Sequence, residues 1–171
     1  MINLLIPRNL EGRKEKRKQM IIRMLSQEMI DVTLHLDESF MDIDPKFVKL
    51  KKVNGTVWLE GGFWKEIPSW LKDVEISGDF FCSGNKLETL KNCPQNIGRK
   101  FYCQYNKLTT LDGCPQKISS DFSCSNNQLV SLEGCPENIE GDFWCYNNKV
   151  KLELPDNVKI GGEFINKNIK I

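Results

Sequence analysis

Histidine occurs once in this chain, at position 35. A single imidazole leaves no H-E-x-x-H zinc helix and no two-histidine ligand set. The phosphate-cradling G-x-x-x-x-G-K-[ST] loop, the G-x-S-x-G nucleophile elbow and the EF-hand loop are missing as well. An enzyme reading therefore has no motif to start from. Neither sign of charge is in excess: 24 Lys and Arg stand against 23 Asp and Glu, for a net charge of +1. That balance argues against a polyanion binder working by bulk charge, and against an acidic disordered tail. No apolar run reaches the ~18 residues of a membrane-spanning helix, so no membrane partner is expected. The opening "MINLLIPRNLEGRK" places apolar before basic residues, the reverse of a secretory signal, with no small-residue cleavage site after it. The expected location is the cytoplasm.

What the chain does have is repetition. In "GDFFCSGNKLETLKNCPQNI", which begins at Gly78, Phe80 is followed at steps of 21 by Phe101, Phe122, Phe143 and Phe164. The same step relates Cys82, Cys103, Cys124 and Cys145, then Asn85, Asn106, Asn127 and Asn148, then Leu87, Leu108, Leu129 and Val150. Leu90, Leu111 and Leu132 follow, then Cys93-Pro94, Cys114-Pro115 and Cys135-Pro136. Ile76, Ile97, Ile118, Ile139 and Ile160 close each unit. A fixed period of this length over this span means a solenoid.

Within the unit, "F-x-C-x-x-N-x-L" has the form L-x-L-x-x-N-x-L, the strand segment of a leucine-rich repeat. Two apolar positions separated by one residue share a face of a short strand, so Phe and Cys enter the core together. Asn falls where the strand turns. There its side chain can bond backbone groups that the turn leaves unpaired, and its copies can stack into a ladder. Leucines bury the return path, and proline keeps that side mostly non-helical. Two degenerate units of 23 residues come first, with Leu34 and Leu36, then Val57 and Leu59, in the strand positions and no Asn. The fold class expected is thus a leucine-rich-repeat solenoid of about seven short parallel strands, from Leu34 to Phe164, roughly 29 Å long at ~4.8 Å per strand.

Residues 1–31 read as an N-terminal strand-helix cap and 32–171 as the solenoid, regular from about 74. "INLLIP" reads as the short strand. "LEGRKEKRKQMIIRMLSQEMI" reads as one helix with Ile21, Met24, Leu25 and Met29 on its apolar stripe. Arg13, Lys14, Lys16, Arg17 and Lys18 make its first half a basic patch, a possible nucleic-acid or acidic-partner contact without interleaved aromatics. At the other end "FINKNIKI" stops within the seventh unit, where Ile169 and Ile171 keep the pattern. An open strand edge there invites a homodimer unless Lys167 and Lys170 protect it.

The short unit with proline on its return path resembles the bacterial-type leucine-rich repeats of secreted enterobacterial effectors. Its wording, "GDF-x-C-S-x-N-x-L-x-SLEGCP", is similar to repeats in accessory proteins of tailed bacteriophages. The resemblance covers about Val53 to Phe164. It implies a virus-encoded accessory factor that acts on a bacterial host protein. The effectors' ligase domain follows their repeats and has no counterpart here, so no catalytic residue and no cofactor is carried over.

Seven cysteines, four on the inward strand position and three before proline, are expected to be small buried residues. Strand residues that alternate with the core pair should line the concave face: His35, Trp58, Phe81, Tyr102, Ser123, Trp144 and Ile165. Gln104, Tyr105 and Tyr146 extend that face, with Asp121 and Asp142 among the acids flanking it. Exposed aromatics on a sheet either pack across strands or bind. The expected function is docking of a folded protein, with the acids favouring a basic or polar partner surface.

Overall fold

The computed structural model describes residues 14–167. One helix, Lys14–Leu25, precedes a parallel β-solenoid of about seven turns. Its main sheet has seven strands: Leu34–Leu36, Val57–Leu59, Phe80–Phe81, Phe101–Tyr102, Phe122–Ser123, Phe143–Trp144 and Phe164–Ile165. Every neighbouring pair is parallel and in the register of the repeat, so Phe80 lies beside Phe101, Phe101 beside Phe122, and Phe122 beside Phe143. Leu34 pairs with Val57, and Val57 with Phe80. The extra residues of the two longer units are therefore taken up outside the strands. Among the described residues the return side has no α-helix. It carries 3₁₀ turns at Glu38–Phe40, Pro45–Phe47 and Ser69–Leu71, all in the first two units.

The closing isoleucines do more than the sequence reading gave them. They form a second, shorter line of parallel strands just ahead of the main sheet. Met29–Ile30, Lys52–Val53 and Glu75–Ile76 pair in one group, with a single bridge from Ile76 to Ile97. Lys117–Ile118, Asn138–Ile139 and Lys159–Ile160 pair in another. Between this line and the main sheet the chain turns a corner, where successive rungs come very close. A Cβ on Gly98 would lie 2.2 Å from the Ser77 carbonyl oxygen, so this corner position requires glycine.

Phenylalanine forms the spine of the core. Phe80, Phe101, Phe122 and Phe143 are fully buried, with ring centroids 5.6, 5.5 and 5.0 Å apart. Phe164, in the last described strand, is half-buried because it has a neighbouring rung on one side only. All seven cysteines are buried free thiols.

Asparagine binds rung to rung. The Asn106 side-chain amide donates to the Cys82 carbonyl of the preceding rung at 2.9 Å and to Cys103 of its own at 3.0 Å. Its oxygen accepts the Leu87 amide at 3.0 Å. Asn85, Asn127 and Asn148 repeat this pattern. The degenerate second unit lacks the Asn yet keeps the function. There the Trp64 indole N–H donates to Leu36 O at 3.2 Å and Glu60 O at 2.9 Å, the carbonyls that an asparagine amide would meet.

Three expectations need correction. The helix ends at Leu25, and Met29 lies exposed in the strand Met29–Ile30 instead of on the helix stripe. The amides of Lys49 and Leu50 donate to Leu25 O, so the incoming rung terminates the helix. Val150 is 47 % exposed, while Leu152 is buried in its stead. The sixth return path has thus slipped two residues, since it lacks the Cys-Pro of the others. Ser123, read as outward-facing, is buried. "INLLIP", Arg13, Ile169, Lys170 and Ile171 lie outside the described residues.

Asn127→Ala should cost about 3 kcal/mol, because four buried side-chain bonds are lost and the Leu108 amide is left without a partner, at ~1–3 kcal/mol for an orphaned group, while Cys103 O and Cys124 O keep the neighbouring asparagines. Asn148→Ala, at a less buried position in the sixth rung, should cost less; urea unfolding of the two variants checks the order. Trp64→Phe should keep the packing but remove both indole hydrogen bonds, leaving Leu36 O with the Glu60 amide alone and lowering stability by roughly 1–3 kcal/mol in the same measurement.

Candidate functional site

Between Leu34 and Leu36, or Val57 and Leu59, the middle side chain points away from the core. In-register stacking sets these middle residues side by side on the outer face of the main sheet. His35 and Trp58 lie with centroids 6.2 Å apart and planes nearly parallel, at 3°. Trp58 and Phe81 are 4.1 Å apart, and Phe81 and Tyr102 5.3 Å. Trp144 meets Tyr102 edge-on at 6.2 Å, across the intervening strand. That contact explains the burial of Ser123, whose small side chain sits in the rung between the two rings. His35, Trp58, Phe81, Tyr102 and Trp144 therefore form one stripe, exposed at His35 and Trp58 and half-buried beyond. His35 Nδ1 lies 2.6 Å from Glu60 Oε1.

The residues just before each phenylalanine form a parallel column of acids, with a structural duty. Asp79 accepts the Lys100 amide at 3.0 Å, Asp121 the Asp142 amide at 3.1 Å, and Asp142 the Glu163 amide at 2.8 Å. Asp121 and Asp142 are thus adjacent members of a backbone-stitching column. Lys100 interrupts it, with its ammonium 2.8 Å from Asp121 Oδ2 and 5.7 Å from the centroid of the Tyr102 ring. Its hydrogen bond to Asp121 pushes the Lys100 pKa up, against the cost of partial burial. Burial works to raise Asp121, but the Lys100 ammonium and the Asp142 amide outweigh it and hold the carboxyl below its ordinary 3.8. Burial also raises Tyr102.

Past the strands the backbone turns left-handed at one residue per rung. Gly84, Asn126 and Asn147 suit that conformation; Tyr105, at φ 57°, does not. Tyr105 is also 60 % exposed and makes no ring contact among the described residues. Gln104 Oε1, Ser125 Oγ and Asn126 Nδ2 beside it are buried with no hydrogen-bond partner. Tyr146 is half-buried on the next rung but one.

The basic helix is partly committed elsewhere: Arg17 pairs with Asp37, while Lys18 is exposed. Lys14 and Lys16 lie on the helix, with side chains outside the described part, so the patch does not assemble as a described surface. Burial pushes every thiol up, Cys135 to about 11, Cys145 to about 12 and the rest well above their ordinary 9.0. None of the seven is a thiolate near neutral pH. Among the described residues no three His, Cys, Asp or Glu side chains converge as a metal-holding group, and no helix is long and apolar enough to cross a membrane. Two hollows of about 620 and 520 Å³ open on the return side, near Leu152 and near Trp70, and neither includes a residue of the stripe.

The periodic pattern located the stripe. It did not show that Lys100 is paired with Asp121 against the stripe, that Ser123 fills its gap or that Trp64 stands in for asparagine. In comparison with known proteins, no family model, no curated protein and no solved structure matches this chain.

Because the native Asp121 pKa is depressed, its charge stabilises the fold above the ordinary value of 3.8, and that contribution is lost as pH falls through the lower native value. Asp121→Asn keeps an acceptor for the Asp142 amide but carries no charge. The variant should be less stable at neutral pH, and its urea midpoint should fall less steeply below about pH 4 than that of wild type.

Proposed function

We propose that this protein is a non-enzymatic leucine-rich-repeat binding module that docks a folded protein on the outer face of its main sheet. The observation that carries this reading is the aromatic stripe from His35 to Trp144, on five of six successive strands with Ser123 in its one gap and left partly open to solvent. Ring-on-ring packing accounts for the order of the stripe, and cross-strand aromatic pairs do stabilise sheets. It does not account for Tyr105, which is held in an unfavourable backbone conformation, is mostly exposed and takes no part in that packing. Aromatics placed this way are the residues enriched in interface hot spots. The acids beside the stripe disfavour phosphate backbones and favour a basic protein surface. Arg17, bound to Asp37, is less free to serve nucleic acid from the helix.

On the resemblance of its repeats to those of tailed-bacteriophage accessory proteins, the partner in this proposal is a bacterial host protein whose activity the docking modulates. Affinity capture from bacterial lysate tests the reading. Wild type is compared with a Tyr102→Ala, Trp144→Ala, Tyr146→Ala variant whose fold is verified by circular dichroism. A host protein retained by wild type and lost by the variant is the expected result. Each truncation should cost roughly 1–4 kcal/mol of binding to the captured partner. Equal retention by both proteins would remove the aromatic face as the docking site.

A further inference from the structure

The repeat supplies its own template for a ligand. In the fourth strand Lys100 precedes Phe101 and Tyr102 follows it; Asp121 holds the preceding position of the next rung. The Lys100 ammonium occupies the niche these groups make, 2.8 Å from the Asp121 carboxylate and 5.7 Å from the Tyr102 ring centroid. Two rungs on, the same three positions are Asp142, Trp144 and Glu163. The ring and the next-rung acid are kept, and the ring is now tryptophan, the strongest cation–π partner. The residue that supplied the cation is itself an acid. Among the described residues neither Asp142 nor Glu163 has an ion-pair partner. Asp142 spends one oxygen on the Glu163 amide.

We infer that Trp144, Asp142 and Glu163 form a niche for the side-chain cation of the docked protein, an arginine. The Tyr102 niche is filled in cis by a tethered lysine; its counterpart at Trp144 has complementary acidic charge and, among the described residues, no cation paired with it. A guanidinium stacks flat on an indole while its fork of donors reaches carboxylates beside the ring, which a compact ammonium does less well. Among the described residues no third His, Cys, Asp or Glu side chain joins this pair in a metal-holding group. A phosphate-bearing ligand meets two like charges. The inference rests on the docking reading for the source of the cation, and it fixes where a basic hot spot of the partner sits.

The test uses the intact protein, labelled with ¹⁵N, and the peptide acetyl-Gly-Arg-Gly-amide as probe. Its control is the same peptide with uncharged citrulline for arginine. The arginine peptide should shift the Trp144 indole N–H and the Gly161 and Gly162 amides saturably, with a dissociation constant in roughly the millimolar range expected of one exposed cation site. The response should be lost in an Asp142→Asn, Glu163→Gln variant, which keeps an acceptor for the Glu163 amide. Lys100→Gln should add a second saturable response at the Tyr102 ring, since it empties the equivalent niche. An equal response to citrulline, an unchanged response in the double variant, or no gain from Lys100→Gln would overturn the inference. Retention of a host protein by the double variant, with no peptide response in wild type, would sink the niche and leave the docking reading standing. A peptide response without a captured partner would do the reverse.

Discussion

Everything in this structure depends on how one rung is held to the next, and the side-chain amide of asparagine completes that holding where the backbone ladder stops. Each strand is only two or three residues long, so ladder hydrogen bonds alone leave the turn after it unpaired. Asn127 closes that gap, giving its N–H groups to carbonyls of two rungs and taking an amide from the preceding one. It is buried, so these bonds are made where an unpaired backbone group is most costly. Trp64 shows that the requirement is chemical and not tied to one residue type. An indole N–H reaching the same carbonyls lets the second unit join the stack without an asparagine.

Once the rungs are locked in register, a side chain repeated in the sequence becomes a column in space. Phenylalanine makes a ring stack through the core, cysteine a line of inert thiols beside it, and the acids a seam that ties amide to carboxylate. Stacking also explains why cysteine serves here. The rungs leave room for a small apolar side chain next to each phenylalanine, and burial keeps its thiol protonated. Deviations from the columns then carry information. Lys100 in the acid column, Tyr105 in the left-handed column and Ser123 in the aromatic column each break a repeat at the outer face, within rungs four and five. The core columns of those rungs are unbroken, so the scaffold stays rigid where its surface varies.

The outer face combines two demands that pull against each other. Aromatic rings lose water contact by packing on one another, which the distances from His35 to Trp144 achieve. Acids alongside them are relieved of their mutual repulsion by backbone amides and by the cations Lys100 and Arg99. The balance changes along the stripe. It is internally neutralised at Tyr102, while Asp142 and Glu163 beside Trp144 have no ion-pair partner among the described residues, so the charge is not uniform along the face.

The period of 21, the two longer first units, the seven strands, the buried cysteines and the asparagine ladder were legible in the sequence, because each reflects a local rule repeated often enough to be seen. The outward residues of the stripe were legible for the same reason, since alternation along a strand is a local property. The end of the helix at Leu25, the second line of strands through the isoleucines and the exchange of Val150 for Leu152 were not. The first two are decided by contacts from a neighbouring rung, the Lys49 and Leu50 amides on the helix end and the in-register pairing of Ile139 with Ile118, and the third falls on a return path whose proline, Pro155, stands two residues ahead of the repeat position. The sequence by itself determined the repeat and which side chains face inward or outward. Only the tertiary structure decided which outward groups neutralise one another and which have no ion-pair partner among the described residues, because that depends on distances across rungs 21 residues apart.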